Sequence, residues 1–172
     1  IRDSPNIDAK TNTKISTGRI QDKFGLNGND IIRILNKFKN SRNIKIKCLS
    51  VHIGSQITQN KPYNNVLIAI NKILSKSKYK FEYIDLGGGM GIKYIKDNKK
   101  LDYSKLSKNI HKFSKRNNCK IIFEPGRSIV GNTAVLLTKV IYIKNSSNKK
   151  FIIIDACMND LIRPALYNAK HD

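Results

Sequence analysis

The sequence has 172 residues, of which 40% are hydrophobic, and this suffices for one ordinary domain with a core. No apolar run within it is long enough to span a bilayer, so no membrane association is predicted. The 33 basic and 12 acidic residues give a net charge of +21. The lysines are spread along the whole chain, with no basic helix, aromatic stacking platform or zinc-finger spacing. The charge alone therefore does not predict nucleic-acid binding.

The ends and the cysteines of the chain indicate its setting. The chain begins at Ile1 without a starting Met and has no signal-peptide pattern, so we expect a piece of a longer cytoplasmic protein. The number of cysteines is odd, and no pair has metal-site spacing. We therefore predict reduced thiols, no disulfide framework and no metal. Cys157 lies beside a polar motif, but its role stays open.

Hydrophobic periodicity predicts that helices and strands alternate up to residue 131. Residues 1–23 are polar and irregular, and residues 23–25 resemble the end of a short strand. After residue 131, strands at 133–143 and 151–154 with no helix between them predict a β element and a second domain. In the first part, the alternation favours parallel βα units. Its predicted helices cover residues 29–40, 61–77 and 103–117, and its predicted strands cover residues 44–53, 81–86 and 120–123.

Polar residues follow each of these three strands. His52 and Ser55 follow the first strand, three glycines at 87–89 follow the second, and Glu124 with Arg127 follows the third. A single His at a strand end is more often structural, and glycine-rich or Glu-Pro-Gly turns also simply end strands. In parallel α/β barrels, however, the carboxyl ends of the strands form the active site. Polar residues at the ends of three successive strands therefore indicate a functional site.

These residue types suit a phosphorylated aromatic cofactor. The His52 ring can stack on another ring, and Ser55 and the glycines can donate to a phosphate. Glu124 can pair with a protonated ring nitrogen, and Arg127 offers a forked cation for phosphate or carboxylate. Pyridoxal phosphate is a cofactor of this shape.

A second candidate site lies near the end of the chain. Arg163 and Tyr167 are four residues apart, so one helical turn places them on one face. Pro164 fits the first turn of a helix. The functional interpretation is a clamp for a substrate carboxylate, and the alternative is a surface turn with an exposed Arg.

Four motifs carry a resemblance to a known family. The chain resembles the diaminopimelate decarboxylases at residues 52–56 (HIGSQ), 87–91 (GGGMG), 124–127 (EPGR) and 158–167 (MNDLIRPALY), in that family's order and at about its spacing. The opening, residues 7–25, is also similar, so the likeness covers nearly the whole chain. Ornithine and arginine decarboxylases share the first three motifs, and the last is specific for diaminopimelate.

The resemblance implies an α/β fold: the C-terminal part of a TIM (β/α)8 barrel of alanine racemase type over residues 1–128, followed by the start of a β domain over residues 129–172. It implies decarboxylation of meso-2,6-diaminopimelate to L-lysine and CO2, dependent on pyridoxal 5'-phosphate, as the last step of lysine biosynthesis. The enzyme would be a homodimer with active sites at the interface. The alternatives are a related ornithine or arginine-type decarboxylase and a non-catalytic relative that binds the cofactor.

The resemblance also implies roles for individual residues. The family's Schiff-base lysine lies upstream of Ile1 and its catalytic cysteine lies downstream of residue 172, so no catalytic residue is assigned here. Cys157 is not that cysteine. We expect the segment to be inactive and poorly stable by itself. The implied cofactor-binding residues are His52, Ser55, Gly87, Gly88, Gly89, Glu124, Pro125, Gly126 and Arg127, and the implied substrate-binding residues are Arg127, Arg163 and Tyr167.

Overall fold

The structure is a computed structural model that describes residues 1–9, 16–19, 21–94 and 100–171. Residues 10–15 and 20 of the opening motif lie outside the described residues. The chain forms two compact units, which divide after Gly131. The second unit extends from Asn132 onward and includes Tyr94. The assignment of residues 1–128 and 129–172 to two domains stays a prediction.

The first unit is built on a parallel sheet whose strands lie side by side in chain order. The register aligns Arg2, Ser50, Asp85 and Ile122 in one row across the sheet. A helix follows each of the first three strands, so the unit consists of successive βα units, as predicted. The strands are β1 (Arg2–Asp3), β2 (Cys48–Val51), β3 (Tyr83–Asp85) and β4 (Lys120–Ile122).

Three long helices cover the sheet and agree with the predicted ones to within two residues. They are α1 (Gly28–Phe38), α2 (Asn60–Ser77) and α3 (Tyr103–Asn117). Local chemistry fixes where two of them begin. The Asn27 side chain accepts from the amide of Asp30 at 3.0 Å, and Asp102 accepts from the amide of Lys105 at 2.9 Å. Such caps satisfy amides that have no partner within the helix.

The core lies between the sheet and these helices. Leu49 and Ile84 of the strands and Ile31 and Ile70 of the helices are at most 1% exposed. Burial of each such side chain stabilises the fold by about 1.5–3 kcal/mol relative to exposure. The apolar faces of the helices therefore fix the sheet, and with it the carboxyl ends of the strands.

The prediction of irregular structure over residues 1–23 is wrong at Arg2–Asp3, which forms strand β1. Its backbone pairs with β2, and the amino group of Ile1 donates to the Cys48 carbonyl oxygen at 3.0 Å. Two polar residues cannot show the alternation of a strand. The neighbouring strand, whose paired residues lie 48 positions further along the chain, supplies the hydrogen bonds that define β1.

The second unit contains β5 (Val140–Asn145) and β6 (Lys150–Ile154), which pair antiparallel, and the short helix α5 (Arg163–Tyr167). The first of these strands was predicted to begin at residue 133, which is too early. The side chains of Val135 and Leu137 are each 93% exposed and belong to no strand. The apolar composition of the residues from 133 onward was the reason for predicting a strand there. The predicted helical turn with Pro164 in its first turn is confirmed. Among the described residues, no helix combines the length and apolarity needed to cross a membrane.

Candidate active site at the carboxyl ends of the strands

Three of the predicted clusters lie together at the carboxyl ends of β2, β3 and β4. The amide of Gly88 donates to Nδ1 of His52 at 3.2 Å, across the ends of β3 and β2. The amide of Glu124 donates to the Gly87 carbonyl oxygen at 2.9 Å, across the ends of β4 and β3. Residues that are 36 and 37 positions apart along the chain are therefore neighbours, as expected for parallel strands.

The glycines at 87–89 are required because other backbone segments come very close. A Cβ built on Gly88 would lie 2.2 Å from the Glu124 carbonyl oxygen, and one on Gly89 would lie 2.2 Å from the Gly54 carbonyl oxygen. Gly89 also has a φ of +89°, which side chains rarely adopt. The absence of side chains thus lets the three strand ends meet.

Two amides of this loop are already used within the protein. The Gly87 amide donates to Oδ1 of Asp85 at 2.8 Å, and the Gly88 amide donates to His52. These two amides therefore shape the loop itself. The sequence suggested that all three glycines would donate to a phosphate, and that role stays a prediction.

Asp85 is a buried residue of the site that the sequence did not single out. Its Oδ2 accepts from the Ser50 hydroxyl at 3.0 Å, while its Oδ1 accepts from the Gly87 amide. Asp85 is 7% exposed, so both contacts are shielded from water. A carboxylate in an apolar strand, two residues before the first glycine, was the signal that could have identified it.

His52 is half-buried and accepts a hydrogen bond at Nδ1, so its proton lies on Nε2 and the ring is neutral. Burial lowers the pKa of His52, and the Arg2 guanidinium lowers it further. The carboxylates of Glu124 and Asp85 act on this pKa in the opposite direction. The backbone of His52 is also held, because Thr17 donates to its carbonyl oxygen at 2.9 Å. The site thus presents a fixed, flat and neutral ring.

The segment after β4 is more open. Glu124, Pro125 and Gly126 are exposed, and the short helix α4 (Arg127–Val130) begins directly after them. A Cβ built on Gly126 would meet no heavy atom within 4 Å. Open space therefore adjoins Gly126, in contrast to the three glycines after β3.

Two further side chains that the sequence did not assign hold this region. The Tyr63 hydroxyl donates to the Gly88 carbonyl oxygen at 2.9 Å. The Gln56 side chain accepts from Nη1 of Arg127 at 3.1 Å. Ser55, beside Gln56, lies in the loop after β2 and is half-buried. Gln56 was within the HIGSQ motif, but Tyr63 looked like any apolar residue of α2.

Arg163 and Tyr167 lie on α5 in the second unit, and their part in the site stays a prediction. Within that unit, the Arg163 guanidinium carbon lies 4.6 Å from the centroid of the Tyr94 ring. Its Nη1 lies 2.7 Å from Nε2 of His171. The two rings pack edge to face, with centroids 5.1 Å apart. Aromatic rings thus orient the guanidinium, and neither ring was anticipated from the sequence.

Residues 1–131 match the family model described as pyridoxal-dependent decarboxylase, pyridoxal binding domain. The chain therefore belongs to the pyridoxal-dependent decarboxylases. This membership confirms the predicted cofactor, pyridoxal 5'-phosphate. It also confirms the predicted fold, the C-terminal part of an alanine racemase-type barrel followed by the start of a β domain.

The resemblance to diaminopimelate decarboxylases in particular is also confirmed. The chain is 40% identical to the diaminopimelate decarboxylase of Zymomonas mobilis over 176 residues, which cover 100% of this chain and 42% of that protein. The structure of the Helicobacter pylori diaminopimelate decarboxylase complexed with L-lysine superposes with a TM-score of 0.90 at 36% identity, covering 100% of this chain and 44% of that one. The chain thus spans less than half the length of these relatives.

A more distant structure shares the fold alone. The lysine/ornithine decarboxylase of Vibrio vulnificus, complexed with cadaverine, is 20% identical with a TM-score of 0.74. It covers 87% of this chain, and the chain covers 42% of it. At this identity, the likeness does not indicate a shared substrate.

Proposed function

We propose that the full-length protein that carries this chain decarboxylates meso-2,6-diaminopimelate to L-lysine and CO2, the last step of lysine biosynthesis. The observation that carries this proposal is the similarity to diaminopimelate decarboxylases over the whole chain, α5 included. The ornithine and arginine-type alternative rests on motifs that several decarboxylases share. It is weaker because the lysine/ornithine enzyme resembles this chain in fold only.

The strand ends offer a counterpart for each part of pyridoxal phosphate. The ring of His52 stacks on the cofactor ring, and the exposed carboxylate of Glu124 pairs with the ring nitrogen. The open space beside Gly126 receives the phosphate, which a methyl group at that position would obstruct. The cofactor, when bound, serves as an electron sink for the negative charge that remains when CO2 leaves.

The remaining residues of the site hold the anionic groups. The amides of Gly89 and Gly126 and the Ser55 hydroxyl donate to the phosphate, and Pro125 fixes the turn that carries Gly126. Gly87 and Gly88 act by shaping the loop, as their internal hydrogen bonds indicate. Arg127 lies near both the phosphate and the substrate.

Glu124 keeps a proton on the cofactor's ring nitrogen, because an ionised carboxylate stabilises the protonated partner beside it. Its backbone is fixed by the hydrogen bond to Gly87, which places the carboxylate at the same strand ends as His52. Arg163 and Tyr167 hold the distal carboxylate end of the substrate, and a guanidinium suits this because it binds carboxylates in a bidentate manner.

We also propose that the full-length protein is a cytoplasmic homodimer with active sites at the interface. The Schiff-base lysine then comes from a segment upstream of this chain, and the catalytic cysteine comes from the partner subunit, downstream of residue 172. The segment by itself is therefore inactive. Light scattering of the full-length protein tests the dimer. Mixing two inactive variants, one altered in each contributed residue, should restore activity in mixed dimers.

The substrate is tested by measuring CO2 release by the full-length protein from meso-diaminopimelate, L-ornithine, L-arginine and L-lysine. We expect turnover of meso-diaminopimelate at a kcat/KM about 10⁴-fold or more above the others, because a site built to hydrogen-bond a polar group rejects analogues that lack it by about 10⁴–10⁵. Turnover of ornithine or arginine instead would contradict the substrate assignment. Cofactor binding without any turnover would identify a non-catalytic relative.

A further inference from the structure

The Gln56 side chain joins three separate segments of the site. It contacts the loop after β3 through the backbone of Ile92, and it contacts the start of α4 through Arg127. Gln56 itself belongs to the loop after β2. We propose that Gln56 is a positioning residue that orients the Arg127 guanidinium toward an anionic group of the ligand. This inference rests on the function proposed above.

The backbone around Gln56 is fixed in an uncommon conformation. Gln56 has a φ of +66°, although it is not a glycine. The next residue, Ile57, donates to the Gly89 carbonyl oxygen at 2.8 Å and accepts from the Gly91 amide at 3.0 Å. These bonds extend the pairing of β2 and β3 beyond the strand ends. Left-handed non-glycine residues are strained and persist where the surrounding structure holds them, often at functional sites.

Gly91 provides the room for the Gln56 side chain. A Cβ built on Gly91 would lie 3.2 Å from Cδ of Gln56 and 3.1 Å from its carbonyl carbon. Both distances are tighter than most contacts of a real Cβ, so a side chain at position 91 would require Gln56 to shift by a few tenths of an ångström. The motifs HIGSQ and GGGMG therefore fit each other through Gln56 and Gly91.

The chemistry of the amide determines which of its atoms faces Arg127. Nε2 of Gln56 donates to the Ile92 carbonyl oxygen at 2.6 Å, and a carbonyl can only accept. The Oε1 atom consequently faces the other way, toward the Ile92 amide at 3.3 Å and toward Nη1 of Arg127 at 3.1 Å. The backbone of Ile92 thus fixes an acceptor in the direction of the guanidinium.

A neutral acceptor has an advantage over a charged one at this position. Gln56 can hold the guanidinium without cancelling its positive charge, which stays available to an anion. A carboxylate there would compete with that anion and would repel the Ile92 carbonyl oxygen. The anion is either the phosphate of the cofactor or a carboxylate of the substrate, and the two can be separated experimentally.

The experiment compares Gln56→Met, which keeps the size but loses the hydrogen bonds, with Gln56→Glu, which adds a charge. Both are made in the full-length protein. Gln59→Met and Gln59→Glu are matched controls, because Gln59 is exposed and makes no side-chain cap bond on α2. The dissociation constants of pyridoxal 5'-phosphate and of unphosphorylated pyridoxal are measured by equilibrium dialysis, together with KM and kcat for meso-diaminopimelate.

If Arg127 holds the phosphate, both Gln56 variants should weaken binding of pyridoxal 5'-phosphate about tenfold, because a charge-assisted hydrogen bond is lost. Binding of unphosphorylated pyridoxal should then change by no more than about twofold. If Arg127 holds the substrate, both cofactor constants stay unchanged and KM rises about tenfold with a smaller change in kcat. Either result supports the inference, and a larger effect of Gln56→Glu than of Gln56→Met supports the argument about charge.

Two results would overturn the inference. Equal losses for the phosphorylated and unphosphorylated ligands, with KM unchanged, would show that Gln56 acts only through folding. Wild-type values in both Gln56 variants would show that Arg127 needs no support. If the unaltered full-length protein binds no pyridoxal 5'-phosphate, the proposed function fails and the inference fails with it, which separates that case from the others.

Discussion

The Tyr63 hydroxyl donates a hydrogen bond to the carbonyl oxygen of Gly88, while the amide of Gly88 donates to His52. The loop is thus held on one side by helix α2 and on the other by the end of β2. Tyr63 is 1% exposed, and burial raises its pKa, so its hydroxyl stays protonated and remains a donor at neutral and moderately alkaline pH. The helix layer therefore fixes the position of the glycine loop directly.

Replacement of Tyr63 by Phe should destabilise the full-length protein by about 1–3 kcal/mol, because the buried Gly88 carbonyl oxygen loses its donor. The affinity for pyridoxal 5'-phosphate should also fall, since the loop next to His52 loses its hydrogen bond to helix α2. Chemical denaturation and equilibrium dialysis measure the two effects. Tyr103→Phe is the control, because Tyr103 is 43% exposed and should change neither quantity. Equal costs for the two variants would contradict the anchoring role.

Gly88 and Gly126 should respond to alanine in opposite ways. In Gly88→Ala the new methyl group would overlap the Glu124 carbonyl oxygen, so we expect a loss of about 2–3 kcal/mol or more in unfolding free energy. In Gly126→Ala the methyl group enters open space, and stability should stay within about 0.5 kcal/mol. If that space receives the phosphate, the affinity of Gly126→Ala for pyridoxal 5'-phosphate should nevertheless fall.

Thermal melts with and without pyridoxal 5'-phosphate distinguish these expectations. Gly88→Ala should melt early in both conditions, whereas Gly126→Ala should melt normally without the cofactor and gain less stability from it than the unaltered protein. If pyridoxal 5'-phosphate stabilises Gly126→Ala as much as the unaltered protein, the phosphate lies elsewhere.

Local features of the sequence were sufficient to predict the helices. Helices α2 and α3 were predicted to within one residue at each end, because apolar periodicity is a local pattern that a few residues of chain suffice to show. The order of the strand-end motifs also predicted that His52, the glycines and Glu124 would meet, since the carboxyl ends of parallel strands share one edge.

The contacts that orient the site could not be predicted in this way. Tyr63 lies 25 residues before its partner Gly88, and Gln56 lies 71 residues before Arg127. Their roles depend on the distance between elements in the folded protein, and no local pattern records that distance. The same holds for strand β1, which owes its existence to pairing with β2.

The ionisation of His52 should affect both stability and ligand binding at acidic pH. Burial and Arg2 lower its pKa in the folded protein, so the unfolded chain takes up the proton first as pH falls. The stabilisation that depends on the neutral ring is therefore complete above the ordinary pKa of 6.5 and is lost as pH falls through the lower, folded value. Protonation at Nδ1 also removes the acceptor for the Gly88 amide.

A titration of the His52 ring followed by NMR in the full-length protein checks this directly. Arg2→Gln should raise the pKa of His52 relative to the unaltered protein, and Glu124→Gln should lower it, because the two charges act on this pKa in opposite directions. His111→Gln, on an exposed position of α3, is the control and should leave the His52 titration unchanged. A His52 pKa above 6.5 would contradict the buried, neutral ring.

Asp3 is a buried carboxylate outside the proposed site. It is 3% exposed, and neither of its oxygens has a hydrogen-bond partner among the described residues. It adjoins a cavity of about 260 Å³ between α1 and α2, which is also lined by Lys72 and Lys76. Burial raises the pKa of Asp3 from 3.8 to about 6, because the charged form is poorly solvated there.

Asp3→Asn should therefore stabilise the full-length protein in a pH-dependent manner. The pKa of Asp3 is higher in the folded protein than in the unfolded chain. Below pH 3.8 the protonated carboxyl therefore costs the fold nothing, and this part of the stability is lost as pH rises through about 6. A shift of about two units corresponds to roughly 3 kcal/mol, most of which the uncharged Asn should recover at pH 8 and almost none at pH 4. Denaturant titrations of both proteins at the two pH values measure this difference. An equal effect of Asp3→Asn at pH 4 and pH 8 would mean that folding does not shift the pKa of the Asp3 carboxyl, and would contradict this prediction.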